Sequence, residues 1–303
     1  MASPIIQFIL DFVALVIVGI IVLIVPKLSN PPKVGFHCGD LSLHYPYKDS
    51  TIPTLVIGGI CLLSPIFGMI TVEWIKYSQG RRGRYLPQKL KIGKFTLHPL
   101  VIELGHLIGA FLFGAGCSQL ATDVGKYSIG RLRPHFMDVC KPNLELLCPP
   151  GVSPTKYIED FTCVEGDAYL LKNSRLSFPS GHASFSAYTM MYLAIYLQAR
   201  MTWKGSKFLR PVFQAIALFL FWFTALSRVS DYKHHWSDVL AGAALGITIA
   251  TLTALYVSHL FKFVPEDRLL TGDTKMDQLN GMRSAATSSE FSPMKSVIVD
   301  NIL

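Results

Sequence analysis

The chain has 303 residues and a formal net charge of +8, yet only 16% of its residues are charged, where ordinary soluble domains carry about a quarter. Half of the residues are apolar, and they gather into long blocks. That distribution excludes an ordinary soluble domain and points to an all-α, polytopic membrane protein.

A helix that crosses the hydrocarbon core needs about 20 mostly apolar residues. Six stretches qualify in chain order: 5–25, 53–75, 97–120, 180–199, 211–227 and 239–261. The fourth and fifth have shorter apolar centres and borrow from their flanks. The first lacks the basic flank of a signal peptide and is too long for its apolar region, so it reads as a retained span.

Loop charges set the expected orientation. The loop after the second stretch carries Lys76, Arg81, Arg82, Arg84, Lys89, Lys91 and Lys94 with no acid among them, and the loop after the fourth carries Arg200, Lys204, Lys207 and Arg210. Both are expected in the cytoplasm, with the N-terminus and the C-terminus. Much of the positive charge is thereby assigned to topology, and no nucleic-acid partner is expected. The plasma membrane is the expected location, with loops one, three and five exterior or luminal.

Cys61 and Cys117 fall within the spans and read as buried apolar residues. Cys38 in loop one and Cys140, Cys148 and Cys163 in loop three lie on the oxidising side. These four are disulfide candidates with three possible full pairings. Loop three, running from Lys126 to Pro179, is expected to fold over the outer face, tied by at least one of them. No Asn-x-Ser/Thr acceptor occurs. From about residue 265 the chain turns polar and aperiodic, which reads as a disordered cytoplasmic tail over 265–303.

Three polar clusters sit at helix mouths, and loop charge alone brings them to one face. They are Lys126 to Pro134 after the third stretch, Pro179-Ser180-Gly181-His182 at the start of the fourth, and Ser227 to Asp238 between the fifth and sixth. Lys126, Arg133 and Arg228 are cations at the edge of a low-dielectric region, where such groups are costly and usually functional. The planar arginine fork suits phosphate oxygens. Ser180 and Gly181 open a helix whose free N–H groups favour an anion. These features describe a phosphate cradle built without metal. His234 and Asp238 are spaced to share a helix face, so a carboxylate could orient a nucleophilic imidazole while His182 acts as general acid. His235 also lies within reach of Asp238, and spacing leaves the two histidines as alternatives.

The clusters resemble the signature of the type 2 phosphatidic acid phosphatase superfamily: Lys-x6-Arg-Pro, Pro-Ser-Gly-His and Ser-Arg-x5-His-x3-Asp. Lys126 to Pro134, Pro179 to His182 and Ser227 to Asp238 match at each signature position. The nearest likeness is to the animal phospholipid phosphatases, also called lipid phosphate phosphatases. The resemblance implies that residues 1–264 form a six-helix lipid phosphatase domain in which His234 is the nucleophile. It also implies that His182 is the general acid and base, that Asp238 orients His234, and that Lys126, Arg133, Ser180, Gly181 and Arg228 hold phosphate. The implied reaction is hydrolysis of phosphatidate, lysophosphatidate, sphingosine 1-phosphate or ceramide 1-phosphate through a phosphohistidine, with no metal and no cofactor. The implied assembly is a homo-oligomer in the bilayer.

Taken singly, these residues have plainer explanations. Lys126 and Arg133 are placed to snorkel, Ser180 to cap a helix, and Asp238 to favour a helix N-terminus. Their joint occurrence at the signature spacing outweighs those readings. Asp11, Glu73, Glu103 and His106 read as contacts between helices or as interfacial groups. Competing functions are a vanadium haloperoxidase, a glucose-6-phosphatase and a catalytically silent membrane interaction protein of the same family. Soluble architecture, a larger span count and lost site residues, respectively, would mark each of them.

Overall fold

The computed structural model describes residues 4–79, 91–92, 95–96, 98–164, 167–202 and 205–261. The tail expected over 265–303 and the loop cations Arg81, Arg82, Arg84, Lys89, Lys94 and Lys204 lie outside the described residues. The helices, in chain order, are α1 (Pro4–Leu28), α2 (Thr54–Ser78), α3 (Pro99–Ile129), α4 (Phe136–Cys140), α5 (Leu144–Leu147), α6 (Ala168–Ser174), α7 (Gly181–Arg200), α8 (Leu209–Ser230) and α9 (Trp236–Leu252). The α9 helix continues through a π turn at Thr253–Val257. The chain is an all-α polytopic membrane protein, as expected for a solvent in which backbone groups must bond internally.

Five of the long helices are long and apolar enough to cross a bilayer: those at Phe8–Leu28, Thr54–Ser78, Pro99–Ile129, Leu209–Ser230 and Trp236–Val257. Helix α7 falls short of that apolarity because it is the central post of the bundle. Its Ser, Thr and Tyr side chains meet protein rather than lipid. Tyr188, Tyr192 and Tyr196 recur at helical spacing and are wholly buried. Their hydroxyls donate to the Phe111 carbonyl at 2.7 Å, pair with Ser258 at 2.7 Å, and donate to Glu73 at 2.8 Å. Met69, Leu107, Phe111 and Ala250 close the core around them.

Small residues let α9 approach α7 at backbone distance, as they do between membrane helices generally. A Cβ on Gly246 would run into the Ser184 carbonyl and come within 2.8 Å of the Tyr188 nitrogen. Gly246→Ala is therefore expected to destabilise the protein by about 1–3 kcal/mol, the usual scale of overpacking. Gly58→Ala on α2, where a Cβ meets nothing within 4 Å, is the control. Equal melting temperatures for the two variants in detergent would contradict this packing.

At the end of the bundle away from the polar clusters, Arg200 donates through Nε to Glu73 at 2.9 Å and through Nη2 to Glu103. These contacts tie α2, α3 and α7, the interhelical role expected of Glu73 and Glu103.

One helix end and one loop stand out against the sequence expectation. Helix α3 runs to Ile129, nine residues past its apolar stretch, so Lys126 lies in its last turn and not in a loop. One face of the extension is polar and internal, with Thr122 and Asp123 buried, and hydropathy cannot distinguish an inward polar turn from a loop. The third loop also contains the short helices α4, α5 and α6. It is stapled by Cys38–Cys148 and Cys140–Cys163, and Phe36–His37 pairs antiparallel with Tyr157–Ile158 beneath them. Cys61 and Cys117 are free.

Candidate active site

Helix α3 ends at Gly130, which adopts φ 63° and returns its N–H to the Lys126 carbonyl. This left-handed stop is the conformation glycine adopts most readily. The following segment turns back across the bundle, where the Arg133 N–H donates to the Ser174 carbonyl at 2.8 Å and the Ser177 N–H to the Arg131 carbonyl at 2.9 Å. Three residues on, the Ser180 N–H donates to the Asp238 carbonyl at 3.0 Å. The N–H groups of Lys233 and His234 both return to the Arg228 carbonyl. Backbone bonds thus join all three clusters at one end of the bundle.

Ser180 is fully buried and caps α7, its hydroxyl accepting from the Ala183 N–H at 3.5 Å. The α7 N-terminus opens beside Gly181. A Cβ there would lie 3.0 Å from the Lys126 ammonium, so the missing side chain leaves that cation room. Arg133 donates to the Leu176 carbonyl at 3.5 Å, while its Nε is buried without a partner. A buried guanidinium donor left open is the kind of group an anion satisfies. Burial, and next the charge of Arg228, lower its pKa to about 10. Lys126, Arg133 and Arg228 all bear electrostatically on His182.

His234 is buried, and its Nδ1 lies 2.7 Å from the Ser177 carbonyl. A carbonyl only accepts, so Nδ1 carries the proton and Nε2 keeps its lone pair. Burial first, then Arg133 and Lys126, hold this imidazole well below the ordinary histidine range. His182 adds to the same field. His235 is tied elsewhere: its Nε2 donates to the Leu132 carbonyl at 3.1 Å, and its charged neighbours are Arg131, Asp238 and Asp40. Geometry therefore separates two neighbours that spacing left equivalent.

The expected bond from Asp238 to His234 is not formed. The Asp238 carboxylate lies 4.0 Å from His234 Nδ1 and accepts from Arg131 Nη1 at 2.6 Å, from Ser177 Oγ at 2.5 Å and from the His235 N–H at 3.1 Å. Asp238 thus reaches the nucleophile candidate through Ser177. The physical reason is competition: a backbone carbonyl reaches Nδ1 first, and a buried carboxylate is satisfied better by a guanidinium. Arg131 and Ser177 were not singled out from sequence, although Arg131 stands inside the first cluster. Thr54, at the N-terminus of α2, lies 3.4 Å from His182 Nε2, and no sequence signal marked it.

Comparison with known proteins shows the family of the chain. Residues 107–262 match the PAP2 superfamily. The chain belongs to that family. The matched stretch contains each candidate site residue from Lys126 to Asp238, while Thr54 and the segment before it lie outside. A putative phosphatidate phosphatase of Drosophila melanogaster is 46% identical over 261 residues, covering 84% of this chain and 69% of its own length. Phospholipid phosphatase 1 of Rattus norvegicus is 39% identical over 285 residues, covering 93% of this chain and 96% of its own length. Phospholipid phosphatase 2 of Homo sapiens is 37% identical over 261 residues, with 86% of each chain covered. No solved structure matches this PAP2 chain.

Proposed function

We propose that the protein hydrolyses lipid phosphate monoesters at this site through a phosphohistidine on His234, without a metal ion. The observation that carries the reading is the His234 imidazole, buried with its Nδ1 proton held by the Ser177 carbonyl and lying in the field of Arg133, Lys126 and His182. Nε2 attacks phosphorus while the ester P–O bond breaks, and His182 gives a proton to the departing lipid alkoxide. Water, deprotonated by His182, then cleaves the N–P bond and releases phosphate. Lys126, Arg133, Arg228 and the α7 N-terminus neutralise the equatorial oxygens, the task that Mg²⁺ performs in many phosphatases.

Membrane helices and relatives named for phosphatidate and phospholipid support a lipid substrate. Phosphatidate, lysophosphatidate, sphingosine 1-phosphate and ceramide 1-phosphate form the substrate panel to test. In this reading α7 is the sixth span. The site faces the exterior or a lumen, with both termini in the cytoplasm, the plasma membrane is the proposed residence, and the protein assembles as a homo-oligomer. The disulfides Cys38–Cys148 and Cys140–Cys163 lie on the site's side of the bundle, which suits an oxidising compartment.

Purified protein is expected to release phosphate from this panel in EDTA at its full rate, with vanadate inhibiting as a mimic of in-line attack. Loss of activity in EDTA that Mg²⁺ restores would refute the mechanism. The lowered pKa of His234 carries a second expectation. A depressed pKa leaves the imidazole neutral as pH falls, so phosphoenzyme formation from p-nitrophenyl phosphate should stay level from pH 7.5 to about 6. A decline centred near the ordinary histidine value of about 6.5 would show that the nucleophile is not buried as described.

A further inference from the structure

Arg228 is 1% exposed, and its orientation is fixed from several sides. Its Nη2 donates to Asp231 at 2.7 Å, its Nη1 to the Ser50 hydroxyl at 3.2 Å, and its Nε to the Ser227 hydroxyl at 3.3 Å. A guanidinium has five N–H donors, so these bonds leave one on each terminal nitrogen, a pair suited to bidentate phosphate contact. Asp231 is itself held. Thr51 donates to it twice, through its N–H at 2.8 Å and its hydroxyl at 2.6 Å.

Ser50 and Thr51 belong to the segment between α1 and α2, which contributes nothing to the family signature. That segment is anchored across the site along its length. The Tyr45 N–H donates to the Pro134 carbonyl at 3.1 Å, and the Tyr47 N–H to the Asp138 carboxylate at 2.8 Å. The Tyr47 ring lies 3.6 Å beneath the Lys233 ammonium. The strap therefore touches the segments carrying both Arg133 and Arg228.

We propose that Asp231 is a positioning residue for Arg228 and that residues 45–51 form a strap belonging to the active site, holding that arginine's fork toward the phosphate through Ser50 and Thr51. The proposal rests on the functional reading above. A carboxylate so close to a phosphate-binding cation would weaken anion binding if charge alone mattered. The strap's contribution is orientation: Arg228 is held so that its remaining donors need no rearrangement when phosphate arrives.

The test uses the full-length protein in detergent, with vanadate binding read by thermal stabilisation and turnover measured on phosphatidate. Asp231→Asn keeps shape and hydrogen bonding to Thr51 but loses the charged clamp. It is expected to weaken vanadate binding about tenfold, the scale of one charged hydrogen bond. Thr51→Val should show a smaller loss that Thr51→Ser restores. Because Asp231 acts through Arg228, adding Asp231→Asn to Arg228→Ala should cost nothing further. Unchanged vanadate binding in Asp231→Asn, or losses that multiply in the double variant, would overturn the proposal. If Asp231→Asn does not fold, Thr51→Val decides in its place, and wild-type vanadate affinity there overturns it equally. A wild-type protein that turns over no lipid phosphate removes the functional reading itself, whereas normal wild-type turnover with an unaffected strap variant removes only the clamp.

Discussion

His234→Ala is expected to abolish both turnover and covalent phosphate labelling. Its two neighbours in the signature are placed for other roles. His182 is part of the same cationic cluster but in the proposed scheme faces the leaving group, and His235 is turned to the Leu132 carbonyl. His235→Ala should accordingly keep substantial activity. The expected contrast is steep because a nucleophile's removal eliminates the covalent route, while loss of a neighbour perturbs only packing. Acid-labile ³²P retained on denatured protein, measured beside steady-state phosphate release, checks both variants. A dead His235→Ala with label surviving in His234→Ala would shift the nucleophile by one residue and refute the assignment.

The second large effect belongs to His182. His182→Ala is expected to slow turnover of ordinary lipid esters by on the order of 10²-fold or more, the usual scale of general acid catalysis. A lipid alkoxide is a poor leaving group and needs the proton; p-nitrophenolate does not. The loss in the rate of phosphoenzyme formation should therefore shrink for p-nitrophenyl phosphate, while the label on His234 still forms and accumulates because its hydrolysis lacks the base. Equal losses in phosphoenzyme formation on both substrates would mean that His182 serves phosphate binding and not proton transfer to the leaving group. Thr54, 3.4 Å from His182 Nε2, is the neighbour through which the ring's orientation can be adjusted without touching the acid itself.

Much of the fold was legible because hydrophobic blocks are a local property of the chain. Helix α8 extends only a few residues beyond its apolar stretch at either end. Where the reading fell short, the cause was polarity turned inward. One face of the last turns of α3 packs against α7, with Thr122 bonded to the Ser184 hydroxyl at 2.7 Å, yet on a hydropathy scale these turns resemble a loop. The same effect lowered the apparent apolarity of α7. Residues 265–303 lie outside the described structure, so the expected tail adds nothing to this comparison.

By itself the sequence determined the class of the protein: an all-α membrane bundle of the PAP2 superfamily, with three polar clusters at helix mouths. Block length, loop charge and motif spacing are all written along a single dimension. Tertiary structure decided what joins across that dimension. Cys38 pairs with Cys148 across 110 residues, a choice among three pairings that spacing could not make. Arg131 takes the Asp238 carboxylate across 107 residues, and Ser177 takes the Nδ1 proton of His234 across 57, displacing the i,i+4 pairing that the helix register suggested. Thr51 reaches Asp231 across 180 residues from a segment with no motif at all. Each of these partners is selected by how helices pack and which donor arrives at the shortest distance. That selection is a property of three-dimensional competition for a buried charge, and no spacing in the chain encodes it.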